Sequence, residues 1–300
     1  MTCSAARPLS RAALGLTVAA VATAAYGVLV EPNLFTVRRE RIAVLPPGRA
    51  PVRILHISDL HQTAWQKRKP QWVRSLADTL QPDFVLNTGD NYGGQTKSTV
   101  LESLDDLLDV PGAFVLGSND FWGPKVKNPA RYLLGPSNVA KAHSNPPDLD
   151  ARGLVDAFEQ RGWVQLDNRS AAFDINGTRV GLSGLGDAHM KADAPEASAF
   201  PDDSEVRIGV THAPYSRVLD RLAGAGAQLI AAGHTHGGQI RVPFYGAPAT
   251  NCDRPRSEAR GLFRRGPALV NVTAGVGVAP MAPVRLFCRP EVSVLELVER

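Results

Sequence analysis

Short apolar runs that stop abruptly at polar tips recur along this chain, and no other feature narrows its fold as much. Val52–Ile57 runs into Ser58-Asp59-Leu60-His61, residues 83–88 into Gly89-Asp90-Asn91, and residues 113–116 into Gly117-Ser118-Asn119-Asp120. Further on, residues 206–210 lead to Thr211-His212, and residues 227–232 to Gly233-His234-Thr235-His236-Gly237-Gly238-Gln239. Between the first three runs lie segments with helical spacing, around Trp72, Val73, Leu76 and Leu80 and across residues 99–108. Strand, polar tip, helix, repeated, is the rhythm of an α/β protein, in which ligands bind outside the carboxyl ends of the strands. If the strands are parallel neighbours, the tips converge on one rim.

The rest of the chain supplies further elements. Residues 121–147 are irregular and rich in Pro, Gly and Asn, as expected of a long loop beside that rim. A helix is expected across residues 149–161. Residues 171–175 and 178–182 flank Asn176-Gly177, a two-residue hairpin signal. Gly186-Asp187-Ala188-His189 opens an acidic loop, and residues 268–272 and 292–298 read as closing strands.

Residues 12–30 carry no charge, follow Arg7 and Arg11, and precede Glu31. About twenty apolar residues cross a bilayer as a helix, so this segment is an anchor or a signal peptide with small residues near 22–25. The chain divides into a tail and membrane segment (1–31), an extended linker with a turn at Leu45-Pro46-Pro47-Gly48 (32–51), and a globular domain (52–300). Arg7 and Arg11 favour a cytoplasmic N-terminus, although Arg38, Arg39 and Arg41 weaken the bias. The expectation is a single-pass protein of the cell membrane with its domain on the extracytoplasmic face.

With 44% hydrophobic and 21% charged residues, the composition is that of a globular protein. A net charge of +4 is dispersed over short clusters such as Lys67-Arg68-Lys69 and Arg264-Arg265, which read as solvated surface. No long basic stripe with interleaved aromatics is present, so nucleic-acid binding is not expected. Cys252 and Cys288 could pair or stand as buried thiols, and no Cys-x-x-Cys supports a thiolate zinc or redox site.

Asp59, His61, Asp90, Asn119, His212, His234 and His236 stand at the tips, and they include four of the seven histidines. His234 and His236 are one residue apart, which on a strand puts both on one face. Two carboxylates, a carboxamide and four imidazoles exceed what one tetrahedral zinc takes. They suit two divalent cations sharing a carboxylate, a recurrent arrangement for hydrolysing phosphate esters.

These blocks, in this order, resemble those of the calcineurin-like metallophosphoesterase family. The form Gly-His-Thr-His-Gly-Gly-Gln is similar to its membrane-associated bacterial members, the actinobacterial type above all. The resemblance covers residues 52–298 and implies a four-layer α/β/β/α sandwich with two mixed sheets. Asp59, His61 and His236 would then hold one metal, Asn119, His212 and His234 the other, and Asp90 would bridge them. A bridging hydroxide would attack phosphorus in line with the departing alcohol. Manganese, iron and zinc all tolerate such a ligand set. The implied substrates are phosphomonoesters or phosphodiesters, and the membrane segment, by location alone, adds lipid-linked ones; the rival reading is a catalytically weak, metal-binding scaffold at the membrane.

The third block departs from the family's Gly-Asn-His-Asp or Gly-Asn-His-Glu. With one inserted residue, Asn119 keeps the ligand role and Asp120 falls where the histidine would assist the leaving group. Asp120, with a raised pKa, or His189 or His143 from flanking loops, would supply the acid. Arg254, Arg256, Arg260, Arg264 and Arg265 offer bidentate grips on phosphate or, more simply, a solvated surface. No substrate-binding residue is assigned.

Overall fold

The computed structural model describes residues 6–64, 66–94, 96–124, 146–279 and 282–300. His143 and most of the Pro- and Asn-rich loop fall outside these. Among the described residues, helix α1 (Ala6–Ala25) continues through one π-helical turn, Tyr26–Val30, into the strand β1 (Thr36–Leu45). Then follow β2 (Val52–Ile57), α2 (Arg68–Leu80), β3 (Phe84–Asn87), α3 (Lys97–Leu104), β4 (Gly112–Phe114), α4 (Ala151–Gln160) and β5 (Val164–Gln165). The second half carries β6 (Arg169–Ile175), β7 (Thr178–Leu185), β8 (Val206–Thr211), α5 (Ser216–Gly224), β9 (Leu229–Ala232), β10 (Gly261–Arg265), β11 (Ala268–Val272) and β12 (Glu291–Glu299).

Two six-stranded sheets result, ordered β1-β12-β2-β3-β4-β5 and β10-β11-β9-β8-β7-β6. In the first, β2 to β5 run parallel, and β12 is antiparallel to β2 but parallel to β1. In the second, β7, β8, β9 and β11 run parallel between antiparallel edges β6 and β10. Both sheets are mixed, as anticipated.

Alternation along each strand builds the layers, because successive side chains point to opposite faces. Val52, Ile54, Phe84 and Leu86 face Val180, Leu182, Ile208 and Val210 of the other sheet across a shared core. Leu55, Ile57 and Val85 turn outward against Val73 and Leu76 of α2 and Phe158 of α4. On the far side Ile230 and Val270 pack under Val218, Leu219 and Leu222 of α5. Helices cover both outer faces, so the central strands are buried on both sides and read as continuous apolar runs. At the hairpin, Asn176 (φ 51°) and Gly177 (φ 76°) both take the left-handed conformation of a type I′ turn.

The segment 32–51 is more than a linker. Its middle is β1, paired with β12 from Thr36 to Leu45. Arg38 ties the strand inward: its guanidinium reaches Glu291 at 3.0 Å, Asn271 at 2.7 Å and Ser293 at 2.8 Å. Glu31 is itself buried, its carboxylate accepting the backbone N–H groups of Phe287 (2.9 Å) and Cys288. The polarity of Arg-Arg-Glu-Arg hides this strand from a hydrophobicity reading; β5 is too short, and β10 too half-buried, to announce themselves.

Replacing Arg38 with Met leaves fully buried Glu291 with Arg260 as its remaining ion-pair partner. Removing one partner of a buried pair costs about 3 kcal/mol. Urea unfolding of Arg38→Met should show that loss in its midpoint with an unchanged slope, whereas Arg41→Met, at an exposed pair, should differ little from the parent.

Candidate metal centre

Each predicted tip sits at a strand's carboxyl end, and the two sheets bring those ends together. The backbone there is unusual. Asp59 (φ 50°), His61 (φ 40°), Asp90 (φ 57°), His234 (φ 69°) and His236 (φ 50°) all occupy the left-handed region. Non-glycine residues seldom do so, and such strain persists only where surrounding contacts over-determine it. Here the contacts are visible. Asp59 N–H donates to the Gly89 carbonyl (2.8 Å) and His61 N–H to that of Asp90 (3.0 Å), splicing the first tip to the second. Lys69 is buried and donates its ammonium to the carbonyls of Leu60 and His61 (3.0 Å). It is no surface residue, as its cluster suggested.

Glycine is required where tips cross. A Cβ on Gly117 would strike Asp90 Oδ1 and come within 2.7 Å of His212 Nε2. One on Gly233 would strike Ser58 Oγ and lie 2.6 Å from Asp59 Oδ2.

The side chains form two groups that meet at Asp90. In the first, His61 Nε2 and His236 Nε2 are 3.1 Å apart, with the rings stacked. Asp59 Oδ1 lies 4.0 Å from the former and 3.6 Å from the latter. Asp59 Oδ2 is occupied by Ser58 Oγ (2.7 Å) and His234 N–H (3.0 Å), while Oδ1 is buried without a hydrogen-bond partner. An orphaned carboxylate oxygen beside two ring nitrogens is a donor set able to hold a cation, and these atoms lie within 4.8 Å of one another.

In the second group, His212 Nε2 is 3.3 Å from His234 Nδ1 and 3.4 Å from Asp90 Oδ2. The Asn119 carboxamide also meets Asp90 Oδ2, at 2.7 Å, and Asn119 N–H holds Oδ1 at 2.8 Å. Asp90 Oδ2 is in turn 3.7 Å from His61 Nε2, which places one oxygen between both groups.

Backbone carbonyls fix three of the four imidazoles. His212 Nδ1 lies 2.6 Å from Thr88 O, His61 Nδ1 3.3 Å from Tyr92 O, and His234 Nε2 3.0 Å from Asn251 O. A carbonyl can only accept, so those nitrogens carry protons and the opposite ones face the centre. Metal-binding histidines are characteristically oriented this way. Asn251 could not have been singled out from sequence; it meets His234 Nε2 chiefly through its backbone oxygen, with its side-chain amide 3.3 Å from the same nitrogen.

The electrostatics match. Burial holds His61 down to about 4, and burial with neighbouring His61 holds His236 well below its ordinary value. Burial likewise depresses His234, with His189 and His212 adding to it. These imidazoles are neutral, as ligands must be. Burial raises Asp59 to about 6. For Asp90, burial works upward, but His212, His61 and Asn119 together hold it well below the carboxylate range. Burial also opposes charge on His212, yet Asp90, Asp187 and Asp59 keep it well above 6.5. A divalent cation would answer the same surplus of negative charge by displacing that proton.

Asp120 is turned away from the centre. It is fully buried and accepts from the N–H groups of Asp90 (2.8 Å), Asn91 (2.7 Å) and Gly117 (2.9 Å) and from the Asn91 amide (3.2 Å). His189 stands close: its ring centroid is 4.5 Å from that of His234, and its Nδ1 is 2.8 Å from Tyr215 Oη. Three of the five arginines are engaged elsewhere, Arg254 with Glu258, Arg260 with Glu291 and Arg265 with Asp220, while Arg256 lies over the Tyr245 ring at 4.4 Å. Cys252 and Cys288 are buried free thiols.

Residues 52–238 match the family described as calcineurin-like phosphoesterase. Phosphodiesterase YaeI of Escherichia coli (strain K12) is 30% identical over 297 residues, 95% of this chain and 97% of that protein. A transmembrane protein with metallophosphoesterase domain from Bos taurus is 26% identical over 70% of this chain and 46% of its own length. Purple acid phosphatase PPD1 from yellow lupin is a distant structural likeness, with 13% identity and a TM-score of 0.39 over 64% of this chain and 39% of that one.

Gly117→Ala should push Asp90 and His212 apart. Metal content measured after dialysis against chelator and reloading should fall below that of the parent, with the folded baseline in circular dichroism unchanged. Unaltered loading would show that the Gly117 approach is not needed to hold the ligands.

Proposed function

This chain belongs to the calcineurin-like phosphoesterase family, a phosphoric ester hydrolase with groups able to hold divalent metal, and we propose that it hydrolyses phosphodiesters with a two-metal centre. The carrying observation is that one buried oxygen, Asp90 Oδ2, stands between His61 and His212, the inner members of two ligand groups. Asp59, His61 and His236 would hold the first cation, Asn119, His212 and His234 the second, and Asp90 would serve both. Orphaned Asp59 Oδ1 supports the first set, and the carbonyl-oriented rings of His212 and His234 support the second. A nitrogen-rich, mixed set of this kind suits manganese, iron or zinc. Cations held there supply a nucleophile at neutral pH and neutralise charge on the phosphoryl oxygens.

The chain's own residues do the rest. Strained, glycine-flanked tips hold the ligands rigidly, so little reorganisation accompanies reaction. The amide of Asn119 meeting Asp90 favours the reading with one inserted residue, in which Asn119 keeps the ligand place; the Ser118 carbonyl accepts from the Phe121 and Trp122 N–H groups of the turn. His189 is the group we assign to protonating the leaving oxygen. It lies beside His234, and Tyr215 Oη meets its Nδ1. Asp120, accepting four hydrogen bonds, positions the tips at Asp90 and Gly117 instead.

We also assign α1 to anchoring the chain as a single span, with the domain on the extracytoplasmic face. A 22-residue window, Ala12–Asn33, is apolar enough to cross a membrane. Its Leu14, Leu16, Val18 and Val21 are exposed, unlike those of a core helix. A lipid-linked phosphodiester is the substrate class that this location favours.

Asp90→Asn should lose both cations and all turnover of an aryl phosphodiester while staying folded. Retained turnover would remove the two-metal reading, whereas a parent that loads metal yet turns over no diester would leave the metal-binding scaffold. Across diesters of graded leaving-group pKa, His189→Gln should lose most activity on the poorest leaving groups. Asp120→Asn should lose stability, roughly 1–3 kcal/mol from opposed N–H groups, with the leaving-group slope unchanged.

A further inference from the structure

Beyond the metal centre, the described surface carries an apolar cluster that nothing in the fold explains. Ile240, Val242, Phe244, Tyr245 and Phe287 are all exposed, and Phe244 is exposed completely. Val242 and Gly246 exchange backbone hydrogen bonds of 2.9 Å and close a tight turn. That turn displays Pro243, Phe244 (φ 64°) and Tyr245 at its tip. It is not an unruly loop. Its base is tied to the neighbouring segment by Arg241 N–H on Leu286 O at 2.8 Å and Leu286 N–H on Gln239 O at 3.0 Å. Arg241 Nη1 also reaches Gly237 O at 2.9 Å.

The same segment receives the end of the apolar helix. Arg285 N–H donates to Gly27 O at 2.9 Å, and Phe287 N–H to Glu31 at 2.9 Å. The exposed cluster is therefore continuous with the exit of α1. Its composition is that of a membrane interface: aromatic tips, aliphatic neighbours, and cationic side chains around them. Arg256 lies over the Tyr245 ring at 4.4 Å, and Arg289 is exposed beside Phe287. Apolar patches that monomers leave exposed mark membrane or protein contacts, and continuity with a bilayer-length helix selects the first.

We propose that the Phe244 turn, with Ile240, Val242, Tyr245 and Phe287, is a second membrane contact that seats the domain on the headgroup–acyl boundary beside its anchor. It rests on the reading of α1 as the anchor. The turn begins six residues after His236, at Val242, so seating it brings the strand tips close to the lipid surface, where a lipid-linked phosphate ester would present itself.

The test uses the full chain in nanodiscs of lipids brominated along the acyl chain, with single added tryptophans and the parent's four as baseline. Leu16→Trp reports the helix, Phe244→Trp the turn, and Asp202→Trp a loop preceding β8, at the opposite end of the sheet from the tips. Bromine quenching should remove the added emission of Leu16→Trp and Phe244→Trp and leave that of Asp202→Trp. Quenching of Leu16→Trp alone would overturn the second contact and keep the anchor. Quenching of neither would overturn both. A Phe244→Trp signal untouched by bromine yet shielded from acrylamide would mean that a protein, a second copy included, covers the turn, and would overturn the bilayer as occupant.

Discussion

Asp90 lies between two sheets, almost without solvent, with Asp59, Asp120 and Asp187 also buried nearby. Taking carboxylates out of water costs several kcal/mol each unless charge and hydrogen bonds replace the lost hydration. Most of what is distinctive here answers that demand. Asp120 collects four donors, Asp59 Oδ2 takes two, and Asp90 Oδ1 is held by Asn119 N–H. Asp59 Oδ1, left without a hydrogen bond, and Asp90 Oδ2, which takes only the Asn119 amide, are turned toward imidazoles. The fold satisfies Asp59 and Asp90 by hydrogen bonds on one side, and their other oxygens are directed at the same small volume.

The backbone is bent to the same end. Left-handed conformations at Asp59, His61, Asp90, His234 and His236 let successive tip residues turn both functional groups inward. Strain of this kind costs of order 1–3 kcal/mol per residue. It is offset by spliced backbone bonds between tips, by the buried Lys69 ammonium, and by Arg285. That guanidinium is fully buried and donates to the carbonyls of Ala274 (2.7 Å), Gly275 (3.0 Å) and Cys288 (3.1 Å). It organises the loop whose Gly275 packs on Asp59, and the same loop receives the helix through Gly27 and Glu31. The end of the apolar helix and the geometry of the strand tips thus share one segment, and Cys288, whose thiol meets His236 O at 3.3 Å, sits where they join.

The central strands and the helices between them were legible because burial on both faces leaves an apolar run with nothing else to signify. Val52–Ile57 and Phe84–Asn87 are such runs, and so is Leu229–Ala232. The tips were legible because ionisable groups directly after such runs have little other reason to be there. What escaped notice was concealed by composition. Thr36–Leu45 is charged at Arg38, Arg39, Glu40 and Arg41, yet Arg38 spends its charge on Glu291 inside the fold. Lys69 lies in a basic triplet and is buried. Asp120 stands where an acid was anticipated, but which way a carboxyl points is settled by donors from two places in the chain, Asp90-Asn91 and Gly117.

The sequence by itself determined the class of fold, the rim on which chemistry gathers, and the residue types assembled there, since these follow from periodicity and from which side chains can follow a buried strand. Only the tertiary structure decided how those side chains are divided. Asp59 Oδ1 facing His61 and His236, Asp90 Oδ2 lying between His61 and His212, and His189 rather than Asp120 lying beside His234 depend on crossings between sheets and on carbonyls such as Thr88 O and Asn251 O. Backbone carbonyls are the same at every residue, so no reading of side-chain identities could single them out.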